Sequence, residues 1–213
     1  MTTLGLLIGS MPLARTQHQL IRLLTDAAPD HTTVVPLDAQ RLPHHAPYDD
    51  VPVPTPAHEW RRSIAELDGI VVLAPTVERS IPGALKNAID WAGTAGGPSA
   101  LEGTPTIIAG VSVGPLPRFA SLQHLRTVLT DVGAALRSQP ETVLFATPEA
   151  FDGSGAAVDP DLIDEARDLM SAAAGLTVHV RRTDAVASTT DPVAEVLTAG
   201  PAPVSPVEGI PVA

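Results

Sequence analysis

The sequence predicts an α/β domain in which helices cover both faces of a five-stranded parallel sheet. Short apolar runs alternate with longer amphipathic stretches along most of the chain. The short runs are continuously apolar, which is typical of parallel strands that are buried on both faces. Strands that alternate with helices build a doubly wound sheet, for which we expect the strand order 2-1-3-4-5.

The pattern predicts five strands and five helices. The strands are expected at residues 3–8, 32–37, 69–74, 105–111 and 141–146. The helices are expected where apolar residues recur at helical spacing, at residues 16–28, 57–67, 82–92, 121–136 and 159–174. The third helix has proline in its first turn, a favourable position because the N–H group that proline lacks would have no partner there.

The α/β domain is expected to span residues 1–182, and residues 183–213 are expected to form a flexible, acidic tail. The tail has five prolines and four acidic residues but no basic or aromatic residue. Such a segment buries too little apolar surface to offset the entropy that it would lose on ordering. The alternative is a strap that packs on a partner subunit, which the scattered valine, leucine and isoleucine residues would support.

The composition excludes several classes of protein. The chain has 24 acidic and 13 basic residues, a formal net charge of −11, so we expect it to bind neither nucleic acid nor an anionic membrane. It has no cysteine, which excludes disulfides, thiolate metal sites and a cysteine nucleophile. It shows no apolar run of 18 residues and no basic segment before its first apolar run. We therefore expect a cytoplasmic protein with no membrane span and no secretory leader.

Three loops are expected to meet outside the carboxyl ends of strands 1, 3 and 4, where doubly wound sheets bind ligands. The loop at residues 9–16 leads into a helix N-terminus, whose free N–H groups and dipole favour an anion. Ser10, Arg15 and Thr16 could add hydrogen bonds to that anion. Neither a Walker loop nor G-x-G-x-x-G is present, so a mononucleotide phosphate fits better than a dinucleotide. The alternative is that Ser10 and Thr16 only cap the helix.

The other two loops are residues 75–80 and 112–115. The third loop, Ser-Val-Gly-Pro, can present backbone N–H and C=O groups to the edge of a heterocycle, although a plain turn explains it equally well.

The segment 69–75, followed by Ser-Ile-Pro-Gly-Ala-Leu-Lys-Asn-Ala-Ile-Asp-Trp at residues 80–91, resembles the NADPH-dependent FMN reductase family of flavodoxin-like proteins. The resemblance extends to Gly9-Ser10, to residues 112–115 and to the helix at residues 122–129. It covers about residues 3–175.

The resemblance implies a flavodoxin-like fold, FMN held by the three loops, and reduction of the flavin by NADPH or NADH. It implies a small electron acceptor, such as a quinone, an azo compound or free flavin. It also implies a homodimer or homotetramer, in which the helix at residues 82–92 helps to form the interface. No catalytic side chain is implied, because the flavin carries the chemistry. The implied cofactor-binding residues are Ser10, Arg15, Thr16, Gln17, Pro75, Thr76, Val77, Glu78, Ser80, Ser112, Val113 and Gly114.

The sequence departs from the family pattern in two of these loops. Pro12 replaces an arginine, Val77 a tyrosine that often contacts the flavin ring, and Glu78 a residue that is usually an amide. These changes keep an alternative open, namely a flavodoxin-like protein that has lost flavin reduction and acts as an interaction or other ligand-binding subunit.

Two further patterns point to other chemistry. Gly110-Val-Ser112-Val-Gly114 matches the nucleophile elbow of hydrolases, for which Asp152 or Asp159 and His179 could complete a triad. Two prolines separate this segment from the next helix, however, and an elbow needs a sharp strand-to-helix turn. His44 and His45 precede Tyr48, Asp49 and Asp50 in a proline-rich loop. No H-E-x-x-H and no helical i, i+4 histidine pair is present, so we expect no metal site.

Overall fold

The protein is represented by a computed structural model that describes residues 1–11, 14–46, 52–75, 79–93, 97–114, 120–137 and 141–189. The chain divides into two compact units, residues 1–180 and residues 181–213. No helix in the described part of the chain has the length and apolarity needed to cross a membrane.

The first unit contains one parallel sheet. Its strands are β1 (Thr2–Ile8), β2 (Thr32–Pro36), β3 (Gly69–Pro75), β4 (Pro105–Ser112), β5 (Ala135–Leu136) and β6 (Thr142–Phe145). They follow the order β2-β1-β3-β4-β5, with β6 also paired to β4. The described strands pair in parallel throughout. The predicted fold class and the strand order 2-1-3-4-5 are confirmed.

The fifth strand position differs from the prediction because two short strands share it. β5 pairs with Pro105 and Thr106 at the start of β4, and β6 pairs with Ala109–Ser112 at its end. The fourth helix is correspondingly shorter than predicted. It ends at Asp131, since Gly133 adopts a φ of 81°, a left-handed conformation that terminates helices.

Five α-helices of the described chain flank the sheet. They are α1 (Ala14–Asp26), α2 (Thr55–Ala65), α3 (Gly83–Ala92), α4 (Ala120–Asp131) and α5 (Pro160–Thr189), with a 3₁₀ turn at Pro148–Ala150. α1 and α5 pack on one face of the sheet, and α2, α3 and α4 pack on the other. The two apolar cores explain why the central strands are continuously apolar.

The last helix continues beyond its predicted end at residue 174. It extends to Thr189 and so includes the first seven residues of the predicted tail. Alanine is the strongest helix former, and lengthening an existing helix requires no new nucleation, which explains the extension through Asp-Ala-Val-Ala. The rest of the segment, residues 190–213, lies outside the described residues, so a flexible tail stays a prediction there.

Candidate active site

The carboxyl ends of β1, β3 and β4 lie side by side at one edge of the sheet. Ile8 is in register with Leu73, and Pro75 is in register with Val111. The N–H of Gly9, the residue after β1, donates to the carbonyl of Leu73 at 2.8 Å. The loops after these strands therefore start from fixed, adjacent points, as the strand order predicts.

Gly9 is the close-packed centre of this edge. A Cβ atom at Gly9 would lie 3.0 Å from Pro82 and 3.2 Å from both Leu85 and Pro75. Contacts this short would force the neighbouring side chains apart. The absence of a side chain lets the β1–α1 loop approach the start of α3, and this close approach explains the Gly-Ser pair at residues 9 and 10.

Ser10 and Gln17 both line one groove at this edge of the sheet, and the groove has a volume of about 220 Å³. Its opposite wall comes from the loop after β2, which contributes Asp38 and Gln40. The apolar residues around it come from β1, α1 and α3, from the end of β2 and from the loop after β2. The structure therefore brings together two of the predicted residues of the first loop, beside the N-terminus of α1.

Arg15 and Thr16 have different surroundings. Arg15 is exposed and lines a separate groove with His18, Arg22 and the Gly153–Gly155 loop. Thr16 is buried at 6% exposure. The structure does not bring Arg15 into the groove of Ser10 and Gln17, and the burial of Thr16 indicates a packing role for that side chain.

The second loop connects β3 to α3. Pro75 is the last residue of β3 and is buried. Thr76, Val77 and Glu78 lie outside the described residues, so their roles stay predictions. Arg79 has a φ of 65°, in the left-handed region, and Ser80 follows it with its Oγ 2.9 Å from Nδ1 of His124 on α4.

His124 is a residue that the sequence analysis missed. The sequence shows it only as a polar residue within an amphipathic helix, and the predicted site stops at Gly114. Its partner Ser80 lies 44 positions earlier in the chain. Such a contact between distant segments leaves no periodic pattern in the sequence, although Ser80 itself belongs to the family-like segment.

The third loop is a tight turn after β4. Ser112 is buried, and its hydroxyl donates to the carbonyl of Gly114 at 2.9 Å. Val113 is 40% exposed, so an apolar side chain is open to solvent at the carboxyl edge of the sheet. The turn combines backbone groups with an apolar surface, as the edge of a heterocyclic ring would require.

The geometry around Ser112 does not fit a nucleophile elbow. Its side chain is buried and bonded within its own turn, and α4 begins only at Ala120. The proposed triad partners are engaged elsewhere. Asp152 accepts bonds from Ser154 and Ala156, and Asp159 accepts backbone N–H bonds at the start of α5. The side chain of His179 lies outside the description. The described geometry of Ser112, Asp152 and Asp159 therefore gives the hydrolase hypothesis no support.

Residues 80–91, the segment that resembles the family, also form hydrogen bonds with the loop after β2. Trp91 Nε1 donates to the carbonyl of Pro43 at 2.7 Å, and Asn87 Nδ2 donates to the same oxygen at 2.9 Å. Asn87 Oδ1 accepts from the backbone N–H of His45 at 2.7 Å. The ring of His45 packs edge-on against Trp91, with the centroids 4.8 Å apart. These contacts explain the Asn and Trp of the motif as anchors for one wall of the site.

The histidine pair at residues 44 and 45 was weighed as part of a metal cluster. His45 is held by the contacts with Asn87 and Trp91, and Tyr48, Asp49 and Asp50 lie outside the described residues. Within the described ranges, no three His, Cys, Asp or Glu side chains are grouped as metal ligands.

Comparisons with known proteins identify the family of this chain. Residues 1–148 match the NADPH-dependent FMN reductase family. A 2-hydroxy-1,4-benzoquinone reductase from a Burkholderia species is 32% identical over 158 residues, which are 74% of this chain and 86% of that protein. A quinone reductase from Pseudomonas putida is 28% identical over 156 residues, 72% of this chain and 83% of that protein.

The fold comparison gives the same result. A flavoenzyme NAD(P)H:(acceptor) oxidoreductase from Paracoccus denitrificans superposes with a TM-score of 0.70 at 25% identity, covering 85% of this chain and 98% of that one. The resemblance of residues 80–91 is thereby confirmed. The chain belongs to the NADPH-dependent FMN reductase family and is a flavodoxin-like oxidoreductase that passes electrons from NAD(P)H through FMN to a small acceptor.

Proposed function

We propose that this protein is a quinone reductase whose FMN lies along the carboxyl edge of β1, β3 and β4. The observation that carries the proposal is the groove in which Ser10 and Gln17 meet beside the N-terminus of α1. A hydroxyl, an amide and free helix N–H groups are suitable donors for a phosphate. When bound, FMN accepts a hydride from NAD(P)H and passes two electrons to the acceptor, and the protein supplies binding and orientation.

The remaining loops fit a planar ring system. The turn at Ser112–Gly114 offers backbone groups at the ring edge, and the exposed Val113 offers an apolar contact. Pro75 and Ser80 would border the ring from the β3 side. Thr76, Val77 and Glu78 belong to the proposed site on the sequence pattern alone.

The proposed acceptor is a quinone rather than an azo compound or free flavin. Two relatives that align with more than two thirds of this chain are named as quinone reductases. The test compares turnover of 1,4-benzoquinone, an azo dye and free FMN with NADPH and with NADH. Quinone turnover well above that of the other two acceptors is the expected result. A purified protein that binds no FMN would instead favour a ligand-binding protein without flavin reduction.

Arg15 is proposed to supply a charge to the FMN phosphate. It is exposed in the first turn of α1, but its side chain lies in the neighbouring groove and would have to reorient to reach the phosphate. Arg15→Ala should therefore weaken FMN binding by about 1.5–3 kcal/mol, the scale of a hydrogen bond to a charged group. Flavin titration measures the affinity. The matched control is Arg22→Ala, two helical turns further along α1.

The outcome separates two modes of phosphate binding. If Arg15→Ala binds FMN as tightly as Arg22→Ala does, the phosphate is held by backbone N–H groups together with Ser10 and Gln17. In that case Gln17→Ala should weaken binding, because Gln17 lies in the groove itself.

We further propose a cytoplasmic homodimer that uses the outer face of α3 and α4. A shallow groove there is lined by Lys86 and Asp90 of α3 and by Arg126, Thr127 and Thr130 of α4. This placement agrees with the interface that the family resemblance implies for the third helix. Sedimentation velocity gives the oligomeric state, and a monomer at micromolar concentration would contradict this part of the proposal.

A further inference from the structure

A histidine and a serine from different elements are hydrogen-bonded beside the proposed flavin site. Nδ1 of His124 lies 2.9 Å from Oγ of Ser80. Ser80 belongs to the connection between β3 and α3, and His124 lies in the second turn of α4. The pair therefore joins the elements that follow two of the three site-forming strands.

The position of Ser80 is fixed by its neighbours in the chain. Ile81 is buried at 9% exposure, and Pro82 is buried against Gly9. Arg79 has a φ of 65°, an unfavourable conformation for a side chain of this size. Such a conformation persists only where the surrounding structure enforces it, and it occurs often at functional sites. The chain thus holds Ser80 half-buried at the carboxyl edge of the sheet.

The position of His124 is fixed by the rest of α4. The hydroxyl of Ser121 donates to the carbonyl of Ala74 on β3 at 3.4 Å, which attaches the first turn of α4 to the sheet. Glu141, which precedes β6, accepts from Gln123 at 3.0 Å and from Arg126 at 2.9 Å. His124 itself is exposed, so its imidazole can exchange protons with water.

We propose that Ser80 and His124 deliver the proton that quinone reduction requires, an inference that rests on the proposed function. Conversion of a quinone to a hydroquinone needs one hydride and one proton. The hydride comes from the reduced cofactor, which the family activity supplies.

The hydroxyl of Ser80 gives its proton to the quinone oxygen as the O–H bond of the product forms. Ser80 then takes a proton from Nδ1 of the protonated His124, and water returns a proton to the imidazole. Histidine suits this task because its imidazole both gives and takes protons near neutral pH. Ser80 touches the acceptor in this scheme, whereas His124 acts only through Ser80.

The test compares two acceptors that differ in their need for a proton. 1,4-Benzoquinone needs a hydride and a proton, whereas hexacyanoferrate(III) takes one electron and no proton. In His124→Gln, an amide replaces the imidazole, and an amide cannot carry the proton. The ratio of benzoquinone turnover to hexacyanoferrate turnover should fall by about a hundredfold, the lower end of the usual effect of a general acid. The control is His58→Gln, the same change at an exposed histidine on α2, which should leave the ratio unchanged.

A second measurement does not depend on turnover. The side-chain ¹⁵N resonances of His124 in the FMN-loaded protein should shift in Ser80→Ala, and those of His58 should not. An unshifted His124 resonance would mean that the hydrogen bond is absent in solution and would overturn the proposal. An unchanged turnover ratio in His124→Gln would overturn it as well.

A different set of results is expected if the protein is not a quinone reductase at all. In that case the wild-type protein would reduce neither acceptor with NAD(P)H, or would reduce hexacyanoferrate(III) but no quinone. If instead the wild-type protein reduces both acceptors and His124→Gln slows both equally, the pair only supports the site structurally and the proton role is wrong.

Discussion

Arg61 connects α2 to the carboxyl end of α3. Its Nη1 lies 3.2, 3.0 and 2.8 Å from the carbonyl oxygens of Trp91, Ala92 and Gly93, and its Nη2 donates to the carbonyl of Pro98. The last carbonyls of a helix have no partner within the helix and carry the negative end of its dipole. Partial burial lowers the pKa of the Arg61 guanidinium, yet an arginine keeps its charge in proteins. The side chain therefore caps α3 from a neighbouring helix.

Arg61→Ala removes this cap from carbonyls in a largely buried setting, because Trp91, Ala92 and Gly93 are themselves buried. A hydrogen bond to a charged group contributes about 1.5–3 kcal/mol, and bonds that share one guanidinium do not add. Partial entry of water offsets some of the loss, and the lost dipole interaction adds about 0.3–1 kcal/mol. We expect the free energy of unfolding to fall by about 2–4 kcal/mol. In a domain of this size, that corresponds to a Tm lower by about 4–16 °C.

Urea unfolding followed by circular dichroism measures the effect. Arg62→Ala is the matched control, because Arg62 is the next residue of α2 and is exposed. It should change stability by no more than about 0.5 kcal/mol. Arg61→Lys should fall between wild type and Arg61→Ala, since an ammonium group keeps the charge but lacks the planar fork. A loss below about 1 kcal/mol in Arg61→Ala relative to the control would refute the proposed capping role.

Three further predictions concern other parts of the chain. Trp91→Phe removes one of the two donors to the carbonyl of Pro43, so trypsin should cut the loop after β2 faster, whereas Trp60→Phe, which loses a bond to Ala88 instead, should not speed this cleavage. Removal of residues 190–213 should leave folding and FMN binding intact, because this composition offers no core; an aggregating truncated protein would contradict this expectation. Asp152→Ala should lower the urea midpoint at neutral pH, because the hydroxyl of Ser154 and backbone N–H groups hold the pKa of the Asp152 carboxyl below its ordinary value of 3.8. A depressed carboxyl pKa stabilises the fold above 3.8 and loses that effect as the pH falls through the lowered value. The difference from wild type should therefore shrink below pH 3.8, and a difference that does not change with pH would contradict the assignment.

The sequence determined the architecture because burial leaves a local record. The apolar runs at residues 69–74 and 105–111 predict strands that are covered on both faces, and both strands lie at the centre of the sheet. The motif at residues 80–91 identified the family, and its Asn87 and Trp91 prove to anchor the loop after β2. The sequence does not set the boundary of a helix where no residue terminates it. The helix at residues 159–174 continues through alanine-rich sequence to Thr189.

Only the tertiary structure decided which side chains meet. The contacts of Ser80 with His124 and of Arg61 with the end of α3 join residues about 30 to 45 positions apart. Periodicity reports which face of an element is buried, but it does not report which polar group lies across from it. The sequence likewise does not show that Arg15 is separated from Ser10 and Gln17. All three residues lie just before α1 or in its first turns. The direction in which each side chain points decides which groove it lines.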